Sequence, residues 1–163
     1  MTELLVHYAR YDHWANFRFV ERLQQLPDEL LDRPVSSSFP SLRSTLLHIR
    51  DAENVWWGRL TGTVTTWPAE SSLQIATLLP YCARLCAWVE HCEEEEALAR
   101  MVDYHDLRGN TCRQPVWQLL MHCFNHSTQH RGQLITQMRA LGIGELPAND
   151  LVVFQRTLMM SEH

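Results

Sequence analysis

Apolar residues recur at steps of three and four along the start of the chain: Leu4, Tyr8, Tyr11, Ala15, Phe19, Leu23 and Leu26. This spacing places them on one face of a helix, and Pro27 predicts where that helix ends. A second stripe runs from Leu42 to Leu60. Ser41 before it is a suitable N-cap, and Gly62 after it is a suitable stop.

The second half of the chain predicts two more long helices. One covers residues 72–97 and contains Pro80, so it either bends there or begins near Leu78. The other has Pro115 in its first turn and runs to Leu141, before Gly142. Residues 101–113 suggest two short extended arms around a turn, and residues 150–159 a last short helix.

Four amphipathic helices of about 20 to 27 residues predict an all-α fold, built as a four-helix bundle with a short hairpin-like connection before the last long helix. The sequence contains no obvious repeat, linker or low-complexity tract. We therefore expect residues 1–163 to form a single domain.

The charged residues exclude several classes of protein. All 14 basic residues are arginines, so neither a lysine Schiff base nor a P-loop lysine is available. The net charge is −5 and no basic stripe is visible, so we expect no nucleic-acid partner. The acidic run at residues 93–96 is interpreted as a solvated helix face or helix end rather than a cation site.

Localisation is predicted from what the sequence lacks. No apolar segment is long enough to span a membrane, and the N-terminus does not resemble a secretory signal. The five cysteines show no metal or disulfide spacing pattern and fit reduced thiols. We therefore expect a cytoplasmic protein without a membrane partner.

Three histidines, His122, His126 and His130, stand four residues apart in the last long helix. Residues at i and i+4 are neighbours on one helix face, and neutral imidazole binds zinc, nickel, copper and ferrous iron. The centre of the apolar face lies roughly 60° from His130, 100° from His126 and 140° from His122. His126 and His130 are thus the better pair for a buried metal, whereas His122 leans toward solvent or a cavity mouth.

One helix face cannot surround a cation, so a third ligand should come from another helix. His48, at the edge of the second apolar stripe, is the best candidate. Three histidines from two helices would leave a fourth position open, as in catalytic zinc sites. On spacing alone, the alternative is that these histidines are simply hydrogen-bonded polar residues.

Three segments of the sequence resemble a known family. The run from Asn125 to Leu134 resembles the signature of the DinB/YfiT-like family, which is distinct from the similarly named DNA polymerase. Residues 39–56 are similar to that family's second helix, and residues 11–16 to its first-helix motif. The resemblance covers nearly the whole chain in order.

The resemblance implies an up-down-down-up four-helix bundle, commonly dimeric, with one divalent metal ion on His48, His126 and His130. Zinc or nickel is favoured, and iron, manganese or cobalt would also suit. Family members include S-transferases that use low-molecular-weight thiols and proteins described as hydrolases, whereas many have no known reaction. The substrate is expected to be a small molecule.

The residues around the histidines bear on the reaction. Asn125 and Ser127 flank His126, so the His-Glu-x-x-His motif of metalloproteases, with its glutamate base, is absent. Glu53 lies in an apolar stripe and is interpreted as a hydrogen-bond partner rather than a ligand, with catalytic base as the lesser alternative. Arg131 either forms an ion pair on the helix surface or orients an acidic group of a thiol.

Two classes of function remain open. The first is a metal-dependent enzyme, either a thiol-dependent S-transferase or a hydrolase. The second is a non-catalytic, metal-binding accessory protein related to stress. A homodimer is expected in either case, because Trp56 and Trp57 point about 100° apart and one of them should face a partner or a pocket.

Overall fold

Helix α1 (Thr2–Leu23) follows the first predicted stripe closely. The computed structural model describes residues 1–92 and 95–161. The apolar face of α1 is buried, and Ala15, Phe19, Val20 and Leu23 are inaccessible to solvent. Pro27 follows the helix and precedes the single turn α2 (Asp28–Leu31).

Helix α3 (Leu42–Thr61) begins and ends where its sequence signals predict. The Ser41 side chain accepts a hydrogen bond from the backbone N–H of Ser44, and the Ser44 hydroxyl in turn accepts one from the backbone N–H of Ser41. Gly62 ends the helix with φ 73°, a left-handed conformation that glycine adopts without a Cβ clash.

The prediction of one helix over residues 72–97 is wrong. The chain forms a 3₁₀ turn (Ile75–Thr77) and then α4 (Leu78–Glu90), so the alternative start near Leu78 is the one observed. Pro80 is the third residue of α4, where a helix requires no N–H donor. The separate helix α5 (Glu95–Ala99) follows. Of the acidic run, Glu93 and Glu94 lie outside the described residues, so its interpretation stays a prediction.

Residues 101–115 form the predicted hairpin. Strands β1 (Met101–His105) and β2 (Thr111–Pro115) pair antiparallel, with Val102 opposite Gln114. The chain continues directly into α6 (Val116–Ala140), with Pro115 as its N-cap, and α7 (Leu151–Ser161) follows. The fold is thus mostly helical with one small sheet, and no helix of residues 1–92 and 95–161 is long and apolar enough to cross a membrane.

The four longest elements, α1, α3, α4 and α6, pack against one another. Their apolar faces form two large clusters, one around Leu85, Leu120 and Phe124 and the other around Phe19, Leu46 and Leu134, and α1 packs against Phe154 of α7 in a smaller third one. Between the two large clusters lie buried polar residues from all four helices, here called the polar layer: Asp12, Asn16, Glu53, Cys82, Ser127 and Arg131. The core is therefore apolar at both ends and polar in the middle.

Candidate metal centre

The structure brings His48, His126 and His130 together between α3 and α6. The Nε2 atom of His126 lies 3.1 Å from that of His48 and 3.1 Å from that of His130. One ligand nitrogen from each of the three lies within 4.8 Å of the others, a grouping that could hold a metal ion. The helical spacing and the facing helix thus place the three predicted residues at one point.

The separation of these nitrogen atoms suits a metal ion. Zinc binds imidazole nitrogen at roughly 2.0–2.1 Å, so two ligands of a tetrahedral ion lie roughly 3.3–3.4 Å apart. The observed 3.1 Å requires the rings to separate by only a few tenths of an ångström. Two neutral imidazoles cannot both donate along one contact, and a shared cation would satisfy the facing nitrogens.

Burial keeps two of the imidazoles neutral. Desolvation, followed by the nearby His130, lowers the pKa of His48 to about 4. Desolvation, followed by His130 and His48, lowers the pKa of His126 to about 3. Both side chains therefore carry free lone pairs at neutral pH, and metal binding need not displace a proton from either.

The surrounding residues fix the orientation of the rings. His130 Nδ1 lies 2.8 Å from Gln133 Oε1. Because an amide oxygen only accepts, that contact places the ring proton on Nδ1 and leaves Nε2 free to bind a metal. Phe39 stacks on His48, with ring centroids 4.1 Å apart, and Trp67 meets the same imidazole edge-on at 5.6 Å.

A cavity of about 500 Å³ opens beside the histidines. His48 and His126 lie in its wall, which is otherwise mostly apolar and aromatic and includes Trp56 and Trp67. The volume is typical of sites that bind small molecules. Trp56 faces this cavity, while Trp57 packs edge-on against Trp88 with ring centroids 6.2 Å apart, so one of the two tryptophans does face a pocket.

His122 lies at the cavity, as its position on α6 predicts, and its side chain is exposed. Its ring centroid lies 4.6 Å from that of Trp56 and 6.1 Å from that of His126. Desolvation, then the charge of Arg59, lowers the pKa of His122. His122 thus contributes to the wall of the cavity and lies outside the grouped nitrogens.

Glu53 is a buried hydrogen-bond partner, as predicted. Its Oε1 accepts from Asn16 Nδ2 at 3.2 Å and from the Cys82 thiol at 3.3 Å. Desolvation, then the neighbouring Asp12, raises the pKa of Glu53 well above its usual range. The side chain belongs to the polar layer and does not line the cavity beside the histidines.

Arg131 forms an ion pair, as one of the two interpretations predicts, but the pair lies in the core and not on the helix surface. Its guanidinium is fully buried and donates to Asp12 Oδ1 at 2.6 Å and to Asn16 Oδ1 at 3.0 Å. It therefore lies neither on the helix surface nor at the cavity. The steps of three and four along α6 pass through Ser127 and Arg131, and this continuation of the apolar stripe is the signal that predicts their burial.

Asp12, Glu53 and Cys82 form a second grouping with ligand atoms close together. Arg131 already balances the charge of Asp12, and burial raises the pKa of Glu53 well above its usual range, which favours its neutral form. Burial and the adjacent Glu53 raise the pKa of the Cys82 thiol well above its usual range. This grouping is a structural polar core rather than a prepared ion site.

The fold and the grouped imidazoles define a mostly helical protein with a candidate three-histidine metal centre. Residues 1–157 match the DinB family, and the chain belongs to that family. It is 23% identical over 159 residues to Protein DinB of Bacillus subtilis (strain 168), covering 91% of this chain and 92% of the relative. A DinB-like protein from Bacillus cereus ATCC 10987 shares the fold with a TM-score of 0.58 at 23% identity, over 82% and 89% of the two chains.

Proposed function

We propose that this protein is a metal-dependent enzyme that acts on a small molecule, with one divalent ion held by His48, His126 and His130. The observation that carries the proposal is the convergence of three imidazole nitrogens beside a cavity of about 500 Å³, with two of the three histidines in its wall. Zinc and nickel suit three neutral imidazoles best, and iron, manganese or cobalt would also bind them.

The number of ligands favours catalysis over a purely structural role. Among residues 1–92 and 95–161, the grouping contains three histidines and no fourth histidine, cysteine or carboxylate. A tetrahedral ion would thus keep one position for a water or substrate atom, whereas structural zinc sites close their shell with four protein ligands. This count supports an enzyme over the alternative of a non-catalytic, stress-related accessory protein.

A divalent ion here would lower the pKa of a bound water or thiol, which makes hydroxide or thiolate available at neutral pH. The described residues in the cavity wall include no carboxylate, and Glu53, whose pKa burial raises well above its usual range, lies in the polar layer. A thiolate needs less help from a protein base than water does. S-transfer from a low-molecular-weight thiol is therefore our first proposal, and hydrolysis the second.

We further propose that residues 1–163 form one domain in which α1, α3, α4 and α6 make an up-down-down-up four-helix bundle. Helix α1 contacts α4 and α6, and helix α3 contacts the same two helices, which supports this arrangement. The protein is proposed to act as a homodimer in the cytoplasm. The five free cysteines are consistent with a reducing compartment.

The test is metal content followed by activity, both on protein purified without a histidine tag. About one divalent ion per chain should be found by mass spectrometry, and it should be lost in His126→Ala. A haloarene is then offered with bacillithiol, mycothiol, glutathione or cysteine, before and after chelation. Thiol-dependent turnover of the haloarene that chelation abolishes supports S-transfer. In a second assay the protein is offered an ester and an amide, and metal-dependent cleavage of either, with no thiol-dependent turnover in the first assay, supports hydrolysis. A loaded protein inactive in both assays would support the accessory role.

A further inference from the structure

Arg59 places a positive charge in the wall of the cavity beside the histidines. It lies in the last turn of α3, three residues after Trp56. Its guanidinium carbon is 4.3 Å from the centroid of the Trp56 ring and 4.8 Å from that of Tyr104 on β1. The two rings hold the guanidinium in place and leave its polar edge available for hydrogen bonds.

The hydrogen bonds of Arg59 are incomplete. A guanidinium carries five N–H donors, and Arg59 Nη2 donates to the backbone oxygen of His105 at 3.1 Å. No carboxylate of residues 1–92 and 95–161 pairs with it within 4.0 Å, whereas the buried Arg50 and Arg131 pair with Asp51 and Asp12. Desolvation is the main cause of a lowered pKa for Arg59, so its charge is partly removed from water.

The acidic side chain that acts electrostatically on Arg59, Asp106, is already occupied by a turn of the hairpin. Asp106 contributes to the electrostatic field at Arg59, but its Oδ1 accepts from the backbone N–H groups of Arg108 and Asn110 at 2.8 and 2.9 Å. Its Oδ2 accepts from the Asn110 amide at 2.9 Å. A half-buried cation that lacks a paired carboxylate among the described residues, in a mostly apolar cavity, is suited to bind an anion supplied from outside.

We propose that Arg59 binds the carboxylate of a substrate whose flat apolar body lies between Trp56 and Trp67. The planar fork of arginine matches a carboxylate with two parallel hydrogen bonds, and the tryptophans supply a surface for a ring. His48 and His126 lie in the same wall, so such a substrate would present its other end to the histidine centre. The inference deepens the proposed function by naming the substrate as an aromatic or similarly flat carboxylic acid.

Binding is tested separately from activity, on metal-free protein, so that the probe cannot bind to a metal ion instead. The probes are 2-naphthoate and its neutral counterpart 2-naphthamide, titrated at pH 7.5 and low salt with calorimetry and tryptophan fluorescence. The variants are Arg59→Gln and Arg59→Lys. Arg84→Gln is the matched control, because Arg84 also stacks on a tryptophan, 4.6 Å from the Trp57 centroid, but lies outside this cavity.

The wild-type protein and Arg84→Gln should bind naphthoate at least about tenfold more tightly than naphthamide, the ratio expected of one charge-assisted pair. Arg59→Gln should bring the two affinities to within about twofold, and Arg59→Lys should retain part of the preference. Circular dichroism verifies that each variant is folded. If a variant does not fold, the comparison of naphthoate with naphthamide on the wild-type protein still tests the proposal.

Equal affinities in the wild type, a preference that persists in Arg59→Gln, or no saturable binding of either probe would each overturn the assignment. The metal assay separates the two proposals. A protein that prefers naphthoate through Arg59, yet retains no divalent ion on His48, His126 and His130, would refute the proposed function while supporting the role of Arg59.

Discussion

Replacing Glu53 with glutamine tests the charge state of the polar layer. Glu53 is 2% exposed and its Oε2 atom has no hydrogen-bond donor among the described residues. Burial, followed by the neighbouring Asp12, raises the pKa of Glu53 well above its usual range, which favours the neutral acid in the folded protein. Glutamine keeps the shape and offers an N–H where the acid offers its O–H.

The expected magnitude follows from proton linkage. In the unfolded chain Glu53 ionises near its ordinary pKa, so above about pH 5 the folded state binds one more proton than the unfolded state. The free energy of unfolding of the wild type therefore falls by about 1.4 kcal/mol per pH unit from this group, until pH reaches the folded-state pKa. The Glu53→Gln variant has no ionisable group at this position. Its free energy of unfolding, relative to that of the wild type, should therefore rise by about 1.4 kcal/mol per pH unit over the same range.

The assay is urea unfolding of metal-free protein, followed by tryptophan fluorescence between pH 5.5 and 8. Taking the difference between variant and wild type removes the contributions of the histidines, which both proteins share. Arg131→Met is the contrasting variant. It leaves Asp12 without its buried cation and should cost about 3–5 kcal/mol, against under about 1 kcal/mol for Glu53→Gln at pH 6.

A stability difference between Glu53→Gln and wild type that stays constant with pH would refute the reasoning. So would a cost for Glu53→Gln as large as that of Arg131→Met. Either result would mean that Glu53 is ionised in the fold and shares the charge of Arg131 with Asp12.

Three further outcomes are expected. Alanine at His126 or His130 should abolish stoichiometric metal binding, measured by mass spectrometry, while His122→Ala should retain it; unchanged metal content in the first two would contradict the ligand assignment. Because the pKa values of His48 and His126 are lowered to about 4 and 3, these two imidazoles bind fewer protons in the folded metal-free protein than in the unfolded chain below about pH 6.5. Their contribution to the free energy of unfolding should therefore fall as the pH falls from about 6.5 toward 3. In urea unfolding, His126→Gln should lose stability less steeply than the wild type over this range, and an equal slope would exclude His126 as a cause. Light scattering at micromolar concentration should give twice the 19.1 kDa chain mass, and the mass of a single chain would exclude the homodimer.

Local signals predicted the helices where a single residue decides the boundary. Ser41 and Gly62 flank α3, and Pro115 caps the start of α6, because capping and a fixed φ act within one turn. The helix predicted over residues 72–97 is longer than α4 (Leu78–Glu90), because the helical spacing of apolar residues continues on both sides of α4. There, Arg50 from α3 donates to the backbone oxygen of Ser72 and to the Thr77 hydroxyl, and such tertiary contacts leave no local signal.

The candidate site is also predictable only where a local pattern in the sequence indicates it. The four-residue spacing of His126 and His130 and the edge position of His48 are readable from periodicity, and the structure places their nitrogens together. The burial of Arg131 was missed, because a charged residue within an apolar stripe is ordinarily taken to be solvated. The partner that makes burial acceptable, Asp12, lies 119 residues away in the chain.

The polar layer also sets the alignment of the helices along their length. Apolar faces above and below it would tolerate a slide of one helix by a turn, about 5.4 Å, with new but comparable contacts. The same slide would carry Arg131 away from Asp12 and into surroundings of leucine and phenylalanine. Only one alignment lets the charges meet, and it is the one that also lets His48 face His126 and His130. The polar layer thus fixes the axial position of α6. The metal-site histidines of that helix depend on it, although among the described residues their side chains form no hydrogen bond with it.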